Sequence, residues 1–311
     1  MRETMAAQPA ALERILADRA ALDSCAERLA GRRVLIVGTG TSWHAANQAA
    51  FMLRAAGLEA WPVTGADAAA GQPAPGPQDA LLLLSHRGTK RFTSEVLRRA
   101  HADGVATVFI SRQGNPDADL ETVPGEQSSA FTASHLGALL RVAQLAQTLG
   151  AELGELSSVP VAVAAELAGA PTGVVVPERL LEFAGVAINA WTAAEGALKI
   201  SETARVASEG MACESVLHGP AVALGEADAL VCLDGGDGSE RLGELARVVA
   251  AHGAAVHRFE RLELGPTLSI FALIVIVQKI AAEAAEARGV DPDHFGRELP
   301  ERERAWSEVA L

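Results

Sequence analysis

The sequence predicts an α/β protein built as two parallel sheets, each flanked by helices. Three observations carry that reading. Short apolar runs rich in Val, Ile and Leu recur along the chain, too continuous for strands with one wet face. Longer segments with helical patterning separate them, which is the order of a parallel sheet covered on both faces. After a proline-bearing stretch at 151–178 the alternation starts again, so the chain reads as two similar units in tandem.

Taken in order, residues 1–30 read as one amphipathic helix with Leu12, Ile15, Leu16, Leu22 and Leu29 as its apolar stripe. Val34 to Val37 is a buried strand bounded by glycine, and a helix follows from Trp43 to about Ala56. Leu58 to Val63 is the second strand, and Pro73, Pro75 and Pro77 mark a loop. Ala80 to Leu84, Val105 to Ile110 and a short Leu120 to Val123 are the next strands, with helices at Arg91 to Ala102 and Ala133 to Leu149. In the second half, strands are expected at Leu180 to Ala184, Ala229 to Leu233 and Ala255 to Phe259. Helices are expected at Trp191 to Arg205, Glu240 to Ala251 and Leu268 to Arg288. The expected organisation is therefore a helix over 1–30, a first domain over 31–150, a linker over 151–178, and a second domain with a tail over 179–311.

Composition narrows the function. The net charge of −13 argues against a nucleic-acid partner, whose phosphates need a basic face, and against an anionic membrane surface. Cys25, Cys213 and Cys232 are odd in number and far apart, which disfavours a disulfide framework or a zinc site and fits a cytoplasmic protein. The strong apolar run Ile270 to Val277 is too short to span a bilayer and reads as part of a buried helix. No metal and no cofactor is expected.

Two loops carry anion-binding chemistry. Gly38-Thr39-Gly40-Thr41-Ser42 follows a strand and opens a helix, where backbone N–H groups and a positive dipole end favour an anion. Trp43 stands where a dinucleotide fingerprint needs its third glycine, so that reading fails. Ser85-His86-Arg87-Gly88-Thr89-Lys90 also joins strand to helix and places hydroxyls, two cations and a glycine in six residues. Glu126, Ser128, Ser129 and Thr132 follow the fifth strand and are expected at the same sheet edge.

The stretch Glu195 to Pro220 carries the remaining chemistry. Glu195, Lys199 and Glu202 lie at i, i+4 and i+7, on one face of a helix. A cation between carboxylates, with His218 nearby in sequence, can move protons; the same spacing also suits a solvated surface helix.

With Glu-Gly-Ala-Leu-Lys-x-x-Glu at 195–202, His-Gly-Pro at 218–220, Gly-Thr-Ser at 40–42, Ser-x-x-Gly at 85–88 and Asp-Pro-Asp at 291–293, the chain resembles the two-domain sugar isomerase (SIS) family. The resemblance covers about residues 31–300 and implies two flavodoxin-like units. It implies that Gly40, Thr41, Ser42, Ser85, His86, Arg87, Thr89 and Lys90 hold a sugar phosphate, with Ser129 and Thr132 beside it. Glu202 would be the general base of an enediol proton transfer, and Lys199 would stabilise the enediolate and keep Glu202 ionised. Glu195 would orient the lysine, and His218 would assist ring opening from the partner subunit of a homodimer, placing the site at the subunit interface. The implied activity is isomerisation, or isomerising deamination, of a hexose or hexosamine 6-phosphate in carbohydrate and amino-sugar metabolism. The alternative is a non-catalytic sugar-phosphate-binding regulator. The chain departs from the family loop at Arg87, Thr89 and Lys90 and from its Ser-Thr-Lys pattern at Phe131 and Ala133. It has no counterpart of the family's C-terminal catalytic lysine; Arg297, Arg302 and Arg304 are the cations there.

Overall fold

The computed structural model describes every residue except Phe295, Glu298, Ala310 and Leu311, so the last two residues of the expected tail lie outside it. The chain opens with three short helices, α1 (Arg2–Ala6), α2 (Gln8–Ala17) and α3 (Leu22–Leu29), where one had been expected. Proline at the start of α2 and an extended Asp18 at its end make those breaks. Leu12, Ile15, Leu22 and Leu29 are buried and Leu16 is half-buried.

The first sheet is β1 (Val34–Gly38), β2 (Ala60–Thr64), β3 (Ala80–Leu84), β4 (Ala106–Ser111) and β5 (Leu120–Glu121). Its order is β2-β1-β3-β4-β5 and every pairing is parallel. Helices α4 (Thr41–Ala55), α5 (Gly65–Ala69), α6 (Arg91–Ala102) and α7 (Ala133–Thr148) alternate with the strands. The central strands β1 and β3 are buried at every residue, as strands covered on both faces must be. Helix α8 (Ser158–Ala168) then occupies part of the stretch expected as a linker.

The second sheet is β6 (Leu180–Gly185), β7 (Ser208–Ala212), β8 (Asp228–Asp234) and β9 (Ala255–Glu260), ordered β7-β6-β8-β9 and again parallel. With it come α9 (Asn189–Thr203), α10 (Cys213–Leu217), α11 (Ser239–Ala251) and α12 (Gly265–Ala287); the last helix, α13 (Pro300–Ser307), belongs by its contacts to the first-sheet unit. Strand β7 escapes sequence reading because Ser-Glu-Gly-Met-Ala has no apolar run; it is a partly exposed edge strand. Gly210 allows it to press on α9, since a Cβ there would fall 2.2 Å from the carbonyl oxygen of Ala193.

By its internal contacts the chain forms two units. The first-sheet unit comprises Ala7–Gln127, Ala133–Ser157 and Leu299–Leu311; the second-sheet unit comprises Met1–Ala6, Ser128–Thr132 and Ser158–Glu298. Helix α1 and the segment 128–132 thus belong with the second sheet, although the sequence places them beside the first.

In each unit a basic side chain helps to tie the helices. In the first-sheet unit the fully buried Arg141 of α7 donates to the carbonyls of Ile15 and Asp18 at the end of α2, and to that of Glu121 on β5. It satisfies carbonyls that the helix end leaves open. In the second-sheet unit Lys279 does the same for α8, reaching the carbonyls of Glu166, Gly169 and Ala170 at 2.8–3.0 Å. Lys279 sits on α12, whose residues from Leu268 to Ala285 are almost all buried. By length and composition alone α12 could cross a membrane, but 89% of its most apolar window is covered by the protein itself, so it is the core helix of this unit.

One core position is costly. Glu182 of β6 is fully buried, neither carboxylate oxygen has a hydrogen-bond partner among the described residues, and Glu209 lies opposite it in register on β7. Burial, with a smaller push from Glu209, raises its carboxyl from 4.5 to about 8. The folded chain therefore prefers the protonated acid, a contribution intact below about pH 4.5 and lost as pH rises through about 8. Thermal unfolding should show the wild type losing several degrees between about pH 5 and 8.5 relative to Glu182→Gln, which no longer titrates there. Parallel pH profiles would contradict this account.

Candidate functional site

The first-sheet unit presents its two glycine loops at the carboxyl ends of β1 and β3, as parallel topology requires. Gly38 is obligatory: a Cβ would lie 2.1 Å from the carbonyl oxygen of Ser42. Gly40 takes φ +59°, a left-handed conformation that suits glycine. Ser42, Trp43 and His44 donate their N–H groups back to Thr39 and Gly40, so the turn uses amides that the sequence had offered to an anion. The half-buried Thr41 and Ser42 supply hydroxyls at this edge.

The second loop is braced from below. Ser85 is buried and its Oγ accepts the Gly88 N–H; Ser111 Oγ donates to the Ser85 carbonyl at 2.8 Å, and Asn115 Nδ2 donates to Ser111 Oγ at 2.8 Å. His86 Nε2 accepts the Glu126 N–H at 3.2 Å, and Glu126 Oε1 accepts the Ser134 N–H at the start of α7. Burial, helped by Arg87 and Arg112, pushes the His86 imidazole down to about 4, against the pull of Glu126. His86 is therefore neutral at pH 7 and ties the loop to the segment after β5; the charge at this edge comes from Arg87, Lys90, Arg91 and Arg112. Arg87 and Thr89 are exposed and Lys90 is half-buried at the start of α6.

The segment of Ser129 and Thr132 belongs by its contacts to the second-sheet unit. Thr132 is fully buried, its hydroxyl 2.7 Å from that of Thr4, and its carbonyl accepts from Gln278. Asp293, of the Asp-Pro-Asp signature, holds the amine of Met1 in the same unit.

The second-sheet unit contains a copy of the strand–turn–helix geometry. A Cβ on Gly185 would lie 2.1 Å from the carbonyl oxygen of Asn189, matching Gly38 and Ser42, and Ala187 takes φ +50° where the first copy has Gly40. The helix that follows, α9, gathers Glu195, Lys199 and Glu202. Lys199 Nζ lies 2.6 Å from Glu202 Oε2 and 3.3 Å from Glu195 Oε1. Lys199 and Glu195 are fully buried, and Glu202 keeps 15% of its side chain exposed, so it is the member that reaches solvent. Burial pulls the ammonium down, yet Glu195 and Glu202 outweigh it and the net shift is upward, which keeps Lys199 charged. The solvated-face reading of this stripe is thereby excluded.

Unlike the loop after β3, the one after β8 is acidic and closed on itself. Asp234 is buried and accepts from Ser239 Oγ, the Gly236 N–H and Arg258 Nη2 at 2.6–2.9 Å. Those bonds and Arg258 overcome burial and hold its carboxyl low. A phosphate has no cationic floor there. His218 ends α10 with its side chain 73% exposed, beside Glu214. Among the described residues no cluster of three or more His, Cys, Asp or Glu side chains suits a metal. The sequence reading missed Glu214 as a partner of His218, although its i, i+4 spacing was visible.

No family model and no curated protein matches the sequence. Solved structures do. The C-terminal domain of glucosamine-fructose-6-phosphate aminotransferase from Francisella tularensis has a TM-score of 0.79 at 16% identity, over 93% of this chain and 96% of that one. Glucosamine-6-phosphate deaminase from Thermotoga maritima scores 0.76 at 18% identity, over 95% and 97%. Tagatose-6-phosphate ketose/aldose isomerase from Escherichia coli scores 0.74 at 17%, over 94% of each chain. This likeness establishes the fold, and agrees with the fold implied by the SIS motifs.

Replacing Lys199 by Met should lower stability by about 3–5 kcal/mol, because it leaves a buried carboxylate without its cation. The loss should be larger at pH 8 than at pH 5, where one carboxyl can take up a proton. Denaturant unfolding at the two pH values checks both the size and the sign.

Proposed function

We propose that this protein is a phosphosugar isomerase or isomerising deaminase acting on a hexose or hexosamine 6-phosphate. The observation that carries the reading is the buried Glu195–Lys199–Glu202 array, in which only Glu202 opens to solvent. The similar structures, an aminotransferase domain, a deaminase and a ketose/aldose isomerase of 6-phosphosugars, support the substrate class.

In this reading the phosphate rests on Thr41, Ser42, Ser85 and Arg87, with Lys90 adding charge. Glu202 removes the proton from the carbon beside the carbonyl of the open-chain sugar. Lys199 holds Glu202 ionised beforehand and offsets the negative charge that develops on oxygen. Glu195 fixes the ammonium from the other side. Return of the proton to the neighbouring carbon gives the isomer; with a 2-amino sugar the same transfer gives a C2 imine, which water hydrolyses to the ketose phosphate and ammonia. His218 opens the sugar ring. Its high exposure suits a histidine supplied to a second copy of the chain in a homodimer. A regulatory sugar-phosphate-binding protein is the second reading, favoured by Arg87 and Lys90 standing where the family loop has hydroxyls.

Glu202→Gln keeps size and hydrogen bonding and removes the base. Incubated in D₂O with a panel of hexose and hexosamine 6-phosphates, the wild type should exchange the proton at C1 or C2. Glu202→Gln should bind the same sugar and exchange it about 10²–10⁴ times more slowly. Exchange at the wild-type rate in Glu202→Gln would remove Glu202 from the role of base. Binding without exchange by the wild type would establish the regulatory reading instead. Light scattering at micromolar concentration should give twice the 32.2 kDa of one chain; a monomer would rule out the shared site.

A further inference from the structure

His218 is not held by its backbone alone. Its Nε2 lies 2.8 Å from Glu214 Oε1, one helical turn earlier on α10. The same carboxylate accepts two N–H bonds from Arg241 of α11, Nε to Oε2 at 2.8 Å and Nη2 to Oε1 at 2.9 Å. Arg241 Nη1 in turn reaches Glu244 Oε2 at 2.7 Å. A chain of charged hydrogen bonds therefore runs from α11 to the imidazole. Its bidentate fork fixes the plane of the carboxylate as well as its distance. The three side chains are 73%, 57% and 44% exposed for His218, Glu214 and Arg241, and pairs this open to water contribute little to stability. What such a chain can supply is orientation.

The N–H bonds from Arg241 and His218 draw the Glu214 carboxyl down to about 2, so it remains an acceptor throughout the neutral range. A nitrogen facing an ionised carboxylate carries the proton, and the other nitrogen of a neutral imidazole then bears the lone pair. Nε2 is accordingly the protonated atom, and Nδ1 carries the lone pair.

We propose that Glu214, clamped by Arg241, is the positioning residue that sets His218 for sugar ring opening; this rests on the role given to His218 above. His218 Nδ1 takes the proton of the anomeric hydroxyl, the bond from the anomeric carbon to the ring oxygen breaks as the carbonyl forms, and the proton passes to the ring oxygen. No electrons are gained or lost.

The test uses the full-length protein, fructose 6-phosphate and its 5-deoxy analogue, which lacks the hydroxyl that closes the furanose ring. Glu214→Ala and Arg241→Met should slow solvent exchange at C1 of fructose 6-phosphate about tenfold through kcat, with KM little changed. Exchange with the 5-deoxy analogue should stay at the wild-type rate, which a merely misfolded variant could not maintain. With ¹⁵N-labelled histidine, the His218 signals should report a proton fixed on Nε2 in the wild type and shared between both nitrogens in Glu214→Ala. Glu214→Ala that keeps the wild-type rate or ring signals overturns the positioning role while leaving His218 in place. His218→Ala that still exchanges fructose 6-phosphate at the wild-type rate, or a wild type that exchanges neither sugar, overturns the reading beneath it.

Discussion

A lysine ammonium with no access to water is the constraint on which the second-sheet unit depends. Lys199 is fully buried, and an unpaired charge there would cost several kcal/mol or more. Two carboxylates from the same helix face offset that cost, one buried and one at the solvent boundary. The array needs a straight helix held hard against its sheet, and the small residues around it provide that. Gly196 brings α9 to within 3.0 Å of the Phe183 ring at its would-be Cβ, and Gly210 lets β7 close on the other side. Helix packing, burial and acid–base poise are one arrangement here.

The chain uses one local design twice and charges the two copies oppositely. Gly38 and Gly185 make the same close approach to the backbone carbonyl four residues on, in the first turn of the following helix. In the first-sheet unit the next loop along the edge collects Arg87, Lys90 and Arg91 over a neutral His86. In the second-sheet unit the matching loop holds Asp234 and seals it with Arg258 and Ser239. In a chain of net charge −13 the first loop gathers exposed cations, while the second spends its arginine on Asp234.

Much of this was legible in the residues. β3 and α6 lie where pattern alone placed them, because a five-residue apolar run and a strongly amphipathic helix leave no competing fold for those segments. The Glu195–Lys199–Glu202 spacing specified a shared helix face. Other features were not readable. β7 has no apolar run, since an edge strand held by Gly210 is defined by the helix it touches. The capture of α1 and 128–132 by the second-sheet unit depends on partners more than a hundred residues away, such as Thr4 on Thr132 and Thr132 on Gln278.

Sequence by itself determined most of the alternation of strand and helix, and which polar side chains share a helix face, because these follow from local sterics and periodicity. It left open whether that face was wet or dry. Tertiary structure decided this by burying Lys199 and Glu195 and leaving Glu202 at the boundary. It also made His86 neutral and paired His218 with Glu214 and Arg241. Charge state and orientation depend on desolvation and on distant partners, and those exist only once the chain has packed.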